Sequence, residues 1–76
     1  MYIEKINCIA SDIEQIKRLI KTHKKEIKKR ENILALQVDE VLETEILQYK
    51  EEIENLREQL KIKKQLLKNY KKLWNN

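Results

Sequence analysis

Apolar residues recur in two long tracts of this chain, at alternating intervals of three and four positions. A mean spacing of about 3.5 residues keeps such a stripe on one face of a slightly underwound helix, as in a coiled coil. In heptad notation the stripe, or seam, occupies positions a and d, and two long helices are therefore predicted. The first tract places there Tyr2, Ile6, Ile9, Ile13, Ile16, Ile20, His23, Ile27, Arg30 and Leu34. The second tract places there Leu42, Ile46, Tyr49, Ile53, Leu56, Leu60, Lys63, Leu67, Tyr70 and Trp74.

The two tracts differ in phase, which predicts a break between them. Continuing the first tract would put Val41 at position a, whereas the second tract puts Asp39 there. The resulting slip of two residues matches neither of the usual in-helix insertions, which are about three or four residues long. We predict helices at about residues 3–36 and 40–74, joined by a turn at about 37–39, with Asp39 as the N-cap of the second helix. One continuous long helix is the alternative.

A short turn would make the two helices antiparallel, giving an all-α helical hairpin in a single domain over residues 1–76. A register in which facing residue numbers add to 76 aligns the two seams. In that register Ile27 faces Tyr49, and Tyr2 faces Trp74 at the open end. Each helix would be about 50 Å long at ~1.5 Å per residue.

The apolar stripe is wider than one seam requires. Position g, beside the seam, holds Leu19 and Ile33 in the first tract and Leu66 and Leu73 in the second. An apolar face of about three positions in seven is typical of helix bundles rather than of isolated helix pairs. We therefore predict a homo-oligomer, in its simplest form a homodimer that makes a four-helix bundle.

Polar residues interrupt the seam at three d positions, which hold His23, Arg30 and Lys63. Polar seam residues usually specify register and oligomeric state at some cost in stability. Arg30 and Lys63 also have long aliphatic stems that cover apolar surface while the charged end reaches water. These residues are predicted to align the helices rather than to bind a ligand.

Composition supports a helical chain and indicates its compartment. There is no Gly and no Pro, and 39% of the residues are charged, so tight turns and compact sheets are disfavoured. The single cysteine, Cys8, excludes an intrachain disulfide and fits a reducing compartment. The N-terminal residues lack the basic and apolar regions of a signal peptide, and the longest apolar run, residues 33–36, is far below the ~20 of a membrane span. We predict a cytoplasmic protein, and its many Ile, Lys and Asn residues suggest a low-GC bacterium or its phage.

Charges are sorted along the chain, whose net charge is +4. Residues 17–30 hold eight basic residues and one acid, whereas residues 39–58 hold eight acids and two basic residues. In a hairpin these two blocks lie side by side and largely neutralise each other, which is the simpler interpretation. The alternative is a phosphate-binding face for RNA or DNA, and binding to a membrane surface ranks third. That basic face, at outward heptad positions b, c and f, consists of Arg18, Lys21, Lys25, Lys28 and Lys29.

Residues for chemistry are scarce in this sequence. The one histidine, His23, lies on the seam, and the one serine, Ser11, falls at an exposed position of a helix. No ligand spacing for a metal and no Gly-rich phosphate loop is present, so neither catalytic residues nor a metal or cofactor site is predicted. The sequence therefore predicts a non-enzymatic protein–protein interaction or regulatory module, such as a small phage or bacterial inhibitor or adaptor with a protein partner. An RNA- or DNA-binding hairpin dimer is the alternative.

Overall fold

The computed structural model describes residues 2–75, which form two α-helices packed against each other. Helix α1 spans Tyr2–Leu34 and helix α2 spans Glu40–Asn75. The molecule measures 58 × 14 × 13 Å, whereas one continuous helix of this length would extend to about 110 Å. The all-α two-helix hairpin is confirmed, and the alternative of one continuous helix is wrong.

The turn forms without glycine. Helix α1 ends at Leu34, two residues earlier than expected, because its regular pattern of hydrogen bonds to the fourth preceding residue is interrupted at Leu36. The backbone N–H of Ala35 still donates to the Glu31 carbonyl at 3.0 Å, but the N–H of Leu36 donates to the Ile33 carbonyl only three residues back, also at 3.0 Å. No described residue adopts a positive φ, so the chain reverses with conformations open to any residue type.

Asp39 defines the start of α2. Its carboxylate Oδ1 accepts hydrogen bonds from the backbone N–H of Val41 at 2.9 Å and of Leu42 at 3.4 Å. These bonds satisfy donors that have no partner inside the helix, as an N-cap does. Two acids in the first turn, Glu40 and Glu43, lie at the positive end of the helix dipole and stabilise it further.

The core is a single row of isoleucines between the helices. Its main cluster consists of Ile16, Ile20, Ile27, Ile46 and Ile53, with Leu34, Tyr49, Leu56 and Leu60 packed against it. Even these buried isoleucines keep 6–9% of their surface exposed, and no described side chain is completely enclosed. Because two helices pack along a single line, each core side chain is covered by its own helix and by the facing helix, and the remaining sides of the core are open.

Contacts between the helices indicate the register. The Tyr49 ring lies 5.2 Å from the His23 ring and 4.8 Å from the Arg30 guanidinium, measured to its centroid. Since His23 and Arg30 are one heptad apart, Tyr49 lies at a level between them, which is the level of Ile27. This position agrees with the predicted register to within a residue.

The open end of the hairpin differs from the expected pairing. The ring of Tyr2 lies 6.1 Å from that of Tyr70, and Trp74 is 53% exposed. Tyr2 and Tyr70 have the same diagonal offset as His23 and Tyr49, because long aromatic side chains reach a neighbour about half a heptad away. The register places Tyr2 at the level of Trp74, and the ring that it meets is that of Tyr70, one helical turn earlier on the same seam.

Candidate interaction surfaces

The predicted seam residues differ in burial according to their place along the hairpin. The buried ones are Ile9, Ile13, Ile16, Ile20, Ile27, Ile46 and Ile53. The half-buried ones are Ile6, Leu34, Leu42, Tyr49, Leu56, Leu60, Leu67 and Tyr70, and Trp74 is exposed. The buried residues of α1 thus extend from Ile9 to Ile27, whereas those of α2, Ile46 and Ile53, both lie in the half toward the tip.

The polar seam residues each bind the other helix. His23 Nε2 lies 2.8 Å from a carboxylate oxygen of Glu52, and Lys63 Nζ lies 3.0 Å from one of Asp12. Arg30 donates through Nε to the carboxylate of Glu45. The three partners are g residues, so each pair reaches sideways out of the seam toward the same flank of the hairpin. These contacts join helices that are otherwise held by non-directional apolar packing.

Arg30 is the centre of a small charge network. Its Nη1 donates to a Glu26 carboxylate oxygen at 2.8 Å, and Lys29 Nζ lies 3.5 Å from the other oxygen. The hydrogen bond from Arg30, aided by the charge of Lys29, lowers the pKa of Glu26 below its ordinary value of 4.5. In turn the carboxylates of Glu26 and Glu45 raise the pKa of Arg30, since they favour the charged guanidinium. All these charges satisfy one another within the hairpin.

One flank of the hairpin carries few charges. We call it the c/g face, because it consists of heptad positions c and g of both helices. Helix α1 contributes Lys5, Cys8, Asp12, Gln15, Leu19, Thr22, Glu26, Lys29 and Ile33. Helix α2 contributes Val41, Glu45, Gln48, Glu52, Asn55, Gln59, Ile62, Leu66, Asn69 and Leu73. Only six of these 19 residues are charged, compared with 15 of the 20 at positions b and e, the opposite flank.

Most of the few charges of the c/g face have a partner inside the hairpin. Five of its six charged residues take part in ion pairs, and the sixth, Lys5, has its ammonium 5.7 Å from the centre of the Tyr70 ring. None of the ion pairs between described residues involves positions b or e. On that flank Lys24, Lys50 and Arg57 line one shallow groove together with two acids, Glu51 and Glu54. The hairpin therefore has one flank with few charges, most of them paired, and one flank with many charges outside these ion pairs.

Large aliphatic side chains remain exposed on the c/g face after the helices have packed. Ile62 is 61% exposed, Leu73 51%, Leu19 46%, Ile33 43% and Leu66 39%. Four of these residues are the predicted wider stripe, and Ile62 is an addition that sequence reasoning missed. A check of position c next to the apolar g positions would have found it, since the two are adjacent on a helix.

The tip of the hairpin forms a second apolar surface. Leu36 and Val38 are each 89% exposed and Val41 is 65% exposed. Acidic residues surround them, among them Glu40 and Glu43 in the first turn of α2. Sequence reasoning did not identify this surface, although Leu36 and Val38 lie outside both apolar stripes and could have indicated it.

The predicted basic face lies on the outside of α1. Its five members, Arg18, Lys21, Lys25, Lys28 and Lys29, are all exposed, and Lys29 is the one that also contacts Glu26. They cover about 16 Å along the helix at ~1.5 Å per residue. This length would span about five phosphates along one face of a duplex, at ~3.4 Å per phosphate.

Residues for chemistry are not gathered in one place. Within residues 2–75, no three His, Cys, Asp or Glu side chains are close enough to hold a metal ion together. Cys8 and Ser11 are exposed, and the imidazole of His23 contacts Glu52 and Tyr49. No helix in the described part of the chain is both long and apolar enough to cross a membrane.

Comparisons with protein-family models, curated proteins and solved structures found no match to this chain. Function is therefore inferred from its residues and their geometry.

Proposed function

We propose that this chain is a non-enzymatic protein–protein interaction or regulatory module of a bacterium or phage. It acts in the cytoplasm as a self-associating coiled-coil hairpin, which pairs into a dimeric four-helix bundle. The observation that supports this proposal is the row of aliphatic side chains left exposed on one flank, which includes Leu19, Ile33, Leu66 and Leu73. An apolar row of this length on one flank is typical of a surface that packs against another helix pair.

The thin core supports the same proposal. Each isoleucine at the centre has neighbours on two sides, and none is completely enclosed among the described residues. A second hairpin would cover the open side of the core and bury the half-exposed residues beside it. Complete burial of one half-exposed Leu or Ile contributes about 1 kcal/mol, so several such residues per chain favour association.

The tip supports a role in binding a further protein. Leu36 and Val38 project from the turn with little contact to the rest of the hairpin, so they add little to its stability. A partner suited to this surface has an apolar pocket bordered by basic residues, which would match the acids around the tip. Such a partner is what an inhibitor or adaptor of this size would bind.

Sedimentation equilibrium between about 5 and 100 μM tests self-association. We expect a mass of twice the 9.3 kDa chain in the upper part of this range. Dissociation on dilution is expected, since association and folding are linked for small helical chains. A mass of one chain at tens of micromolar would refute the proposal.

RNA or DNA binding through the basic face is the second candidate function, supported by the exposure of all five basic residues. If all five contact phosphates, raising the salt concentration from about 50 to about 200 mM should weaken binding by up to ~500-fold. A mobility-shift assay at both concentrations measures this loss. A variant with Gln at all five positions of the basic face should lose this binding, and its matched control has Gln in place of five lysines elsewhere: Lys61, Lys64, Lys68, Lys71 and Lys72. Absence of binding at the lower salt concentration excludes this function.

A further inference from the structure

We propose that the c/g face is the surface that packs against a second copy of this chain, with the two hairpins antiparallel. The tip of one hairpin then lies beside the open end of the other. This inference rests on the proposed self-association and adds to it the surface and the orientation.

The choice of flank follows from the charges. A charged group that becomes buried without a partner is strongly unfavourable, so an interface must be free of unpaired charges. On the c/g face five of the six charged residues are in ion pairs within their own hairpin, Glu52 with the imidazole of His23, and the sixth, Lys5, lies over the Tyr70 ring. On the opposite flank 15 of 20 residues are charged, and none of the ion pairs between described residues involves them. Covering that flank would remove water from many free charges, whereas covering the c/g face would not.

A second copy is the partner that best fits this face. A protein of different sequence would need its own flank of the same length with few charges, whereas a second hairpin has one. A flank of 58 by 14 Å has an area of about 800 Å², which is what each partner contributes to a stable interface of ordinary size. In an isologous dimer the same patch serves both chains, and Leu19 lies close to the middle of the hairpin, where a two-fold axis would pass.

The orientation follows from the distribution of charge along the hairpin. The open half, residues 2–19 and 57–75, holds ten basic and four acidic residues, so its net charge is +6. The half at the tip, residues 20–56, holds seven basic and nine acidic residues, which gives −2. Antiparallel copies place unlike halves side by side, and parallel copies would place +6 next to +6. The charges that border the c/g face, within about a Debye length (~8 Å) of a second copy, differ in the same sense. In the open half they sum to +1 (Lys5, Lys63 and Asp12), and in the half at the tip they sum to −1 (Lys29, Arg30, Glu26, Glu45 and Glu52). Attraction between unlike halves therefore favours the antiparallel arrangement.

The surface is tested by a pair of matched substitutions. Ile62 on the c/g face and Leu47 on the opposite flank belong to the same helix and are both 61% exposed. We expect Ile62→Lys to raise the dissociation constant of the dimer at least tenfold, and Leu47→Lys to leave it within twofold. Sedimentation equilibrium measures both constants, and circular dichroism shows whether each variant keeps its helix. A second variant, Leu66→Lys, is to be used if Ile62→Lys loses helix content.

The orientation is tested with the native cysteine. Cys8 is the single cysteine of the chain, it is exposed, and it belongs to the c/g face. In the antiparallel dimer the two Cys8 residues lie about 35 Å apart along the axis, since each is some 11 residues from the middle of the hairpin. In a parallel dimer they lie side by side at about 10 Å, the usual distance between packed helices. Spin labels on Cys8 and pulsed electron paramagnetic resonance distinguish the two distances.

Each outcome decides a separate point. A monomeric wild-type chain overturns the proposed function together with this inference. A dimer that Ile62→Lys and Leu66→Lys leave intact, with helix content retained, overturns the choice of face while self-association stands. A Cys8 distance near 10 Å overturns the antiparallel orientation. A dimer that only the c/g substitutions weaken, with labels near 35 Å apart, supports the inference in full.

Discussion

Replacing Ile53 with Ala tests whether the isoleucine row holds the hairpin together. Ile53 is 6% exposed and belongs to the central cluster with Ile16, Ile20, Ile27 and Ile46. The substitution removes three buried carbon atoms, which costs about 2.4 kcal/mol at ~0.8 kcal/mol for each carbon. A cavity term adds to this loss, but the open sides of the core allow partial collapse. We expect the free energy of unfolding to fall by about 3 kcal/mol.

Urea unfolding followed by circular dichroism at fixed protein concentration measures this change. A loss of about 3 kcal/mol in a chain of 76 residues corresponds to a decrease of roughly 12–24 °C in the melting temperature. Both the wild type and the variant must be measured at several concentrations, because self-association contributes to the apparent stability.

The matched control is Leu47→Ala, which lies on the same helix at 61% exposure and should change the free energy of unfolding by less than about 0.5 kcal/mol. A loss below about 1 kcal/mol for Ile53→Ala would refute the reasoning. It would mean that the row of isoleucines is not the main source of stability. The ion pairs beside the row would then contribute more to the free energy of unfolding than is expected for partly exposed pairs.

Three further predictions concern the turn and the charge network. Asp39→Ala removes the acceptor for the first N–H groups of α2 and should lower the free energy of unfolding, measured with urea, by about 1 kcal/mol. Asp39→Asn should retain most of this stabilisation, because Asn is also a good N-cap residue. Leu36→Ser together with Val38→Ser should change the melting temperature by no more than a few degrees, since both side chains are 89% exposed, and a large drop would show that the tip packs in solution. Because Arg30 lowers the pKa of Glu26, the ionised carboxylate stabilises the fold at pH values above 4.5, and this contribution is lost as the pH falls through the lowered pKa. Glu26→Gln should therefore be less stable than the wild type at pH 7, with a difference in melting temperature that disappears as the pH falls below the lowered pKa of Glu26; a difference independent of pH would contradict this account.

The phase of the heptads was sufficient to predict the hairpin and the level at which its helices meet. A slip of two residues matches neither of the usual insertions within a continuous helix, so a break was expected near Asp39. The end of α1 was predicted two residues too late because no glycine marks it. The backbone conformation after Leu34, and not a particular residue type, determines where the last hydrogen bonds of α1 form.

The sequence was less informative about which side chains contact each other across the seam. Tyr2 was expected to face Trp74, but it lies against Tyr70, since an aromatic ring reaches diagonally across the seam. His23 and Lys63 were expected to align the helices, but their individual partners depend on which g residue lies within reach. The distances between these side chains depend on how the two helices are placed against each other, which the sequence pattern does not specify.

Apolar periodicity and its phase, both properties of the sequence alone, determined that this chain is helical, that it reverses near residue 38, and which residues form its seam. They do so because the helical repeat places each residue on a known face. The heptad positions already give the two flanks different numbers of charged residues, but only the tertiary structure decided which of those charges have a partner. Whether a charge is paired depends on a residue of the other helix, as in the contacts of Asp12 with Lys63 and of Glu52 with His23 on the c/g face. That difference in charge between the flanks is the basis for the interface proposed above.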